Sequence, residues 1–561
     1  MIYFLTSAIT ALGLGFNSGG LRLLTGLLLI PIGLFFGNLV FQVPLGVMGK
    51  ILAGIAVIRL GIELIREAIP TSKRGRFQRS DCKFWLLHPL SILSGAFLIP
   101  YFLLIKKPFT LHEWDEFSHW GLMPKQIYLF DQVSTLQFPY TRFLEYTPGW
   151  PLLLDFPFFV WGGPYETRFL LFTVVLMSIG LAGSVWDFFQ QASRQPIFAW
   201  LVILVLARLH LGIYLYPTDI LSEGPLEILF CTTVLLAFSR CAGESSQIRP
   251  SPTLRALSWG ILLSGGFLIK KSFMGILLFF VAACLNSGGR LNHGSGQTPR
   301  RWTPFISFWL PWIFVLVIWH LTTRLYPHIF KWVERPAGVI HLPLLLAMIS
   351  KAGSFLVAHF FLSAIAILGF FEGLRQTRYR PFFGILFATD LIYLTCLYWL
   401  YLTTFPGQEG MELASFDRYF QSLFKLNLFA VFLFLFAASQ NFFKSSSGKL
   451  RRRILIGATL VFALANAEQF HLAIHILNKW GEPSPFVAQA PRLIQLLEAQ
   501  HLRGETVGIL YEGIGPIAHW QATYAAIDRA GPLAFQATFI DPEAFPFQQS
   551  VIWPIQISAK G

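Results

Sequence analysis

Long apolar runs separated by short polar breaks repeat along nearly the whole chain. A helix of roughly 20 residues crosses about 30 Å of hydrocarbon. Runs of that length, or close to it, fall at 2–16, 22–42, 51–68, 88–105, 168–189, 196–214, 224–240, 255–270, 272–287, 303–322, 353–372, 382–404, 424–442 and 453–472. The pattern predicts an all-α polytopic membrane protein with about 14 transmembrane helices. The first run and the 255–287 pair are the shortest.

The breaks between runs alternate in charge. The segments 71–83, 190–195, 239–255, 286–301, 372–380 and 444–453 all carry Arg, and together hold 20 of the 43 Lys and Arg. The segments between them are longer and more acidic: 106–167 carries Glu113, Asp115, Glu116, Asp131, Glu145, Asp155 and Glu166 against four basic residues. Cytoplasmic loops concentrate Lys and Arg, so 106–167, 215–223, 323–352, 405–423 and the C-terminal tail are expected outside the cytoplasm. The 106–167 segment is rich in Trp, Phe and Leu, and is expected to form helices lying along the membrane surface.

Composition supports this reading. Of 561 residues, 54% are hydrophobic and 13% charged, against about a quarter charged in an ordinary soluble domain. The net charge of +14 sits in the loops that set orientation, and no nucleic-acid motif accompanies it. Five scattered cysteines without a CxxC indicate neither a disulfide framework nor a metal knuckle. The N-terminus lacks a basic n-region, so a cleaved signal peptide is not expected. Residues 480–561 change character: RLIQLLEAQHL reads as an amphipathic helix and ETVGILYEG as a turn into a strand, which together predict a small α/β extracytoplasmic segment.

The expected outer side gathers the residues that carry chemistry. LHEWDEFSHWGLMPKQIYLF (111–130) holds Asp115, Glu116 and His119 among tryptophans. Asp115 and His119 stand at i, i+4 and would share a helix face, where they orient each other or contribute to a divalent ion site. The plainer reading is a solvated acidic loop with Trp anchors. In YLYPTDILSEGPLEILF (214–230), Asp219, Glu223 and Glu227 recur at i, i+4, i+8, with Arg208 and His210 shortly before them. Carboxylates entering a membrane default to functional hypotheses, although acidic residues also favour helix starts. Lys270 and Lys271 interrupt two apolar runs at an expected external turn. An anionic ligand would account for them; snorkelling is the simpler alternative. In GMELASFDRYFQSLFK (410–425), Arg418 and Tyr419 precede a span. Arg418 would clamp a phosphate bidentately, or else form a local surface pair with Asp417. Asp390, mid-span, reads as a helix–helix polar contact.

Taken in order, these features resemble the GT-C superfamily of membrane glycosyltransferases, which use polyprenyl-phosphate-linked sugars outside the cytoplasm. The resemblance spans about 89–472. The segments that carry it are Trp114-Asp115-Glu116, Tyr146-Thr147-Pro148-Gly149-Trp150-Pro151, Gly162-Gly163 through Arg168, Tyr216-Pro217-Thr218-Asp219, Lys270-Lys271 and Arg418-Tyr419. The family's catalytic loop usually follows the first span; here it follows the fourth. Residues 1–70 are therefore expected as accessory transmembrane helices, 88–472 as a GT-C-like module with external loop 106–167, and 480–561 as a small separate domain.

The resemblance implies an inverting hexosyl- or pentosyltransferase that moves a sugar from a lipid-linked donor to a hydroxyl on a glycan, lipid or protein acceptor. Asp115 would be the base and Glu116 its second. His119, Asp219, Glu223, Arg208, Lys270, Lys271, Arg418 and Tyr419 would bind substrate. No cofactor is required, because lysines can do a metal's electrostatic work; a divalent metal is possible. Membrane lipids are expected partners, and nucleic acid is not. The expected home is a bacterial inner (cell) membrane with the site facing outside. The absence of GxxxxGK[ST] argues against nucleotide hydrolysis. The alternatives are a ligase or polymerase of lipid-linked glycans, and a transporter or flippase of lipid-linked or small anionic substrates. No internal repeat of the kind many transporters show is evident.

Overall fold

A computed structural model describes residues 2–13, 18–68, 88–93, 120–133, 147–163, 165, 169–193, 196–214, 220–241, 252–276, 302–325, 341–403, 413, 415–445, 453, 455–461, 463–464, 506–509 and 536–539. The helices are α1 (Ile2–Leu12), α2 (Gly19–Phe41), α3 (Leu45–Ala68), α4 (Pro89–Leu93), α5 (Leu122–Phe130), α6 (Gly149–Trp161), α7 (Leu170–Ser193), α8 (Pro196–Arg208), α9 (Glu223–Cys241), α10 (Pro252–Ile269), α11 (Trp302–Leu325), α12 (Leu342–Ala358), α13 (Phe360–Arg375), α14 (Arg380–Thr403) and α15 (Phe416–Ser445). A 3₁₀ turn, Lys271–Ile276, follows α10. Two short strands, β1 (Thr506–Ile509) and β2 (Gln536–Phe539), pair in parallel with Thr506 opposite Gln536.

Helices predominate because apolar sequence in an apolar solvent must satisfy its backbone internally. Hydroxyls within them follow the same rule: Thr25, Ser184, Thr232, Ser264 and Thr389 each donate to the carbonyl four residues back. Six helices among the described residues are long and apolar enough to cross a membrane: Gly19–Phe41, Leu45–Ile65, Leu170–Gln190, Thr303–Thr322, Arg380–Leu402 and Phe416–Ser439. A seventh crossing is added if α12 and α13, bent by 103° at His359, form one span.

Most of the difference from 14 runs has identifiable causes, and run 224–240 forms the 19-residue α9, which is not among the six. Run 2–16 becomes an 11-residue helix and 196–214 a 13-residue one, each too short to cross alone. Run 255–270 is an 18-residue helix. Runs 88–105, 272–287 and 453–472 lie largely outside the described residues.

Two sets of helices share α9. In the first, α2 packs against α1, α3, α6, α7 and α10, and α11 lies along α10. In the second, α15 packs against α9, α12 and α13, and α14 against α9 and α13. The outer faces are apolar. Phe361 is 81% exposed and Val357 74%, an arrangement that water penalises and hydrocarbon does not.

The described helices of the segment 106–167 depart from the expectation of surface-lying helices. Every residue from Gly149 to Phe159 in α6 is buried, among α2, α3, α5, α7 and α10. The run GWPLLLDFPFF is apolar on all sides apart from Asp155, so no face of the helix prefers water and it packs inside the bundle. In α5, Leu122 through Ile127 are buried as well.

Candidate functional site

Three helix ends converge. The N-terminus of α9 brings Glu223 and, one turn on, Glu227. The C-terminus of α10 brings Lys270, and the N-terminus of α15 brings Arg418, Tyr419, Ser422 and Lys425.

Lys270 is positioned by close backbone packing. Its N–H completes α10 by donating to the Gly266 carbonyl at 2.9 Å, and Phe273 N–H donates to the Lys270 carbonyl at 3.0 Å. Gly266 permits this reversal, because a Cβ there would lie 2.1 Å from the Phe273 ring. Phe273 in turn stacks on Phe230 of α9 with centroids 5.6 Å apart. The turn is thus pinned to the helix that carries the two glutamates.

The long loop docks at the same place. Thr147 Oγ1 donates to the Phe267 carbonyl at 3.1 Å, and Trp150 Nε1 donates to the Ile220 carbonyl at 2.8 Å. Gly149 is needed for this approach, since a Cβ there would sit 2.5 Å from the Leu268 carbonyl oxygen.

The side chains form two rungs. In the first, Lys270 Nζ donates to Glu223 Oε1 at 2.7 Å and lies 5.3 Å from the centre of the Tyr419 ring. Arg418 Nη2 donates to Ser415 Oγ at 2.6 Å, and its charge acts on both Glu223 and Lys270. In the second, Lys425 Nζ meets Glu227 Oε2 at 3.0 Å and Oε1 at 3.3 Å, while Ser422 donates to Oε1 at 3.1 Å. The Tyr214 hydroxyl donates to Glu227 Oε2 and also accepts from Lys425 at 3.4 Å. Buried charges persist when they are paired and hydrogen-bonded in this way.

The candidates from the sequence separate accordingly. Glu223, Lys270, Arg418 and Tyr419 come together. Lys270 does not snorkel: it is only 8% exposed and is held by its ion pair. Lys271 turns elsewhere, with Nζ 5.2 Å from the Trp319 ring centre on α11. Arg208 ends α8 exposed and makes no ion pair with the cluster among the described residues. Asp115, Glu116, His119 and Asp219 lie outside the described residues.

The local Asp417–Arg418 pair is not seen among the described residues. Asp417 instead meets Lys351 of α12 at 3.6 Å, which leaves Arg418 to face Ser415 and the Glu223 rung. Asp390 accepts from Asn427 Nδ2 at 3.1 Å, a contact between α14 and α15. Sequence reasoning passed over Tyr214, Ser422 and Lys425, and left Glu227 unassigned. The spacing did hold a signal: Arg418, Ser422 and Lys425 stand at i, i+4, i+7, which is one helix face.

Elsewhere, Asp155 in α6 is completely buried, and neither carboxyl oxygen has a hydrogen-bond partner among the described residues. Burial pushes this carboxyl well above the usual Asp range, which keeps it neutral. No group of three His, Cys, Asp or Glu able to hold a metal occurs among the described residues.

Long apolar helices and an apolar exterior define a helical integral membrane protein. No family model, curated protein or solved structure matches the chain.

Proposed function

We propose that the protein is a membrane glycosyltransferase that moves a sugar from a polyprenyl-phosphate donor to an acceptor hydroxyl on the extracytoplasmic face. The observation that carries this reading is the meeting of Lys270, Arg418, Tyr419 and Glu223 beside the docked Thr147–Trp150 segment. The described end of the 106–167 segment, Thr147–Trp150, docks beside Lys270, and the proposal brings Asp115 of the same segment to this cluster. The reading keeps about 14 crossings, a GT-C-like architecture, an outward-facing site in a bacterial cell membrane, and residues 480–561 as a small α/β domain.

The chemistry follows from the groups. The acceptor oxygen attacks the anomeric carbon and forms the new C–O bond. The bond from that carbon to the phosphate oxygen breaks, and polyprenyl phosphate leaves as an anion. Asp115, with Glu116 beside it, takes the acceptor's proton. Lys270 and Arg418 stabilise the charge that gathers on the phosphate. A single displacement inverts the anomeric centre. The donor's lipid chain stays in hydrocarbon while its head reaches the cluster.

The test is transfer of radiolabelled sugar from lipid-linked donors in sealed proteoliposomes. Asp115→Asn should abolish product, and Lys270→Met should lower turnover by about 10²–10³-fold, the usual cost of removing one donor to a developing oxyanion. Full activity in both variants would remove the assignment. Label that crosses the bilayer without becoming linked would identify a carrier instead.

A further inference from the structure

We infer that the Glu223 carboxylate occupies the anion seat of Lys270, and that the phosphate of the lipid ligand binds by displacing it. The inference rests on the proposed reading of Lys270 and Arg418 as phosphate-holding cations, and adds how that site is kept closed to anions until the right one arrives.

Three observations carry it. First, the seat is filled: Glu223 Oε1 stands 2.7 Å from Lys270 Nζ and within electrostatic reach of Arg418. A carboxylate and a phosphate present the same acceptor oxygens to these donors. Second, Lys270 has little freedom to turn to another partner. It is 8% exposed, it emerges where α10 passes into the 3₁₀ turn, and its Nζ lies against the Tyr419 ring. An incoming anion must therefore share the ammonium with Glu223 or replace it.

Third, the two glutamates of α9 are held very differently. Both oxygens of Glu227 are fixed, by Tyr214, Ser422 and Lys425. Glu223 has one side-chain ion pair, to Lys270, while its Oε2 accepts a long bond from the Ser222 hydroxyl at 3.4 Å and its own backbone N–H adds support. Glu223 is also the first residue of its helix. One rung is a lock and the other is a latch.

The charge balance agrees. Lys270, Arg418 and Glu223 sum to +1. Polyprenyl phosphate, the released product, approaches two negative charges near neutral pH as other phosphomonoesters do, whereas the sugar-bearing donor is a diester with one. With Glu223 out of the seat, the two cations match the charge of the product.

Binding of polyprenyl monophosphate to the full-length protein in nanodiscs tests the exchange without needing turnover. Glu223→Gln removes the competing charge and should bind at least about tenfold tighter than wild type, because a like charge no longer stands beside the phosphate. Glu223→Asp draws the carboxylate back by one methylene and should fall between the two. Lys270→Met should bind more weakly than wild type, and Glu223→Gln should not rescue it.

If wild type binds and neither Glu223 variant is tighter, the exchange is overturned while the phosphate reading stands. If Glu223→Gln does not fold, Glu223→Asp alone decides. If no form binds the lipid phosphate, the reading of Lys270 and Arg418 fails and the exchange with it. Inorganic phosphate showing the same rank order would support the exchange and move its ligand from the lipid head to the free anion.

Discussion

The α9–α15 interface and the α5–α6 interior both bury ionisable groups, yet they treat them in opposite ways. At α9–α15, Glu223 and Glu227 each find a lysine, contributed by chain 47 and 198 residues away. Inside α6, Asp155 is as deeply buried and has no hydrogen-bond partner among the described residues. The first region holds charge because opposite charge and donors surround it. The second holds a carboxyl only by keeping its proton. Charge chemistry therefore belongs to the first region, while Asp155 imposes a stability cost that burial alone explains.

Breaking the paired region should have the largest effect. Lys425→Met leaves Glu227 buried without its counter-ion and should lower stability by about 3–5 kcal/mol. Adding Glu227→Gln should recover part of that loss, because the uncompensated charge is then gone. Thermal unfolding of the detergent-solubilised protein reads both, and an unchanged melting temperature for Lys425→Met would show that the rung carries no stability.

The unpaired region should respond with the opposite sign. Asp155→Leu removes a buried group with no hydrogen-bond partner among the described residues and should stabilise by about 1–3 kcal/mol. The pH dependence sharpens the contrast. Because the folded carboxyl is shifted upward, its contribution is fully present below about pH 3.9, the usual Asp value, and is lost as pH rises through the buried value. Wild type should lose stability over that window and Asp155→Leu should not; parallel pH curves would contradict the assignment.

The smallest effect is expected at Asp390. Its bond to Asn427 is an ordinary interhelical contact of the kind worth about 0.6 kcal/mol on average within membranes. A double-mutant cycle with Asp390→Leu and Asn427→Leu should return a coupling of that size. A coupling several times larger would place Asp390 with the functional cluster instead.

How much of this was legible in the sequence varies by residue. The membrane class follows from apolar run length, a local property. Glu223, Lys270, Arg418 and Tyr419 were identifiable because charge beside a membrane run is conspicuous in any sequence. Lys425 was not, because a lysine nine residues into α15 reads as part of its span until Glu227 is seen opposite it. Lys271 was indistinguishable from Lys270, since neighbours in sequence give no sign of which will face α9 and which α11. The burial of α6 was half legible: its composition excludes a solvated face, while its neighbours had to be seen.

The sequence by itself determined that the chain lives in a bilayer and where its unusual charges lie, because hydrocarbon solvates apolar runs and penalises charge wherever they occur along the chain. Only the tertiary structure decided which charges meet. Pairing depends on the rotation and depth of each helix against its neighbours, and those are set by contacts such as Phe230 on Phe273 and Gly149 against Leu268, between residues that no local pattern connects.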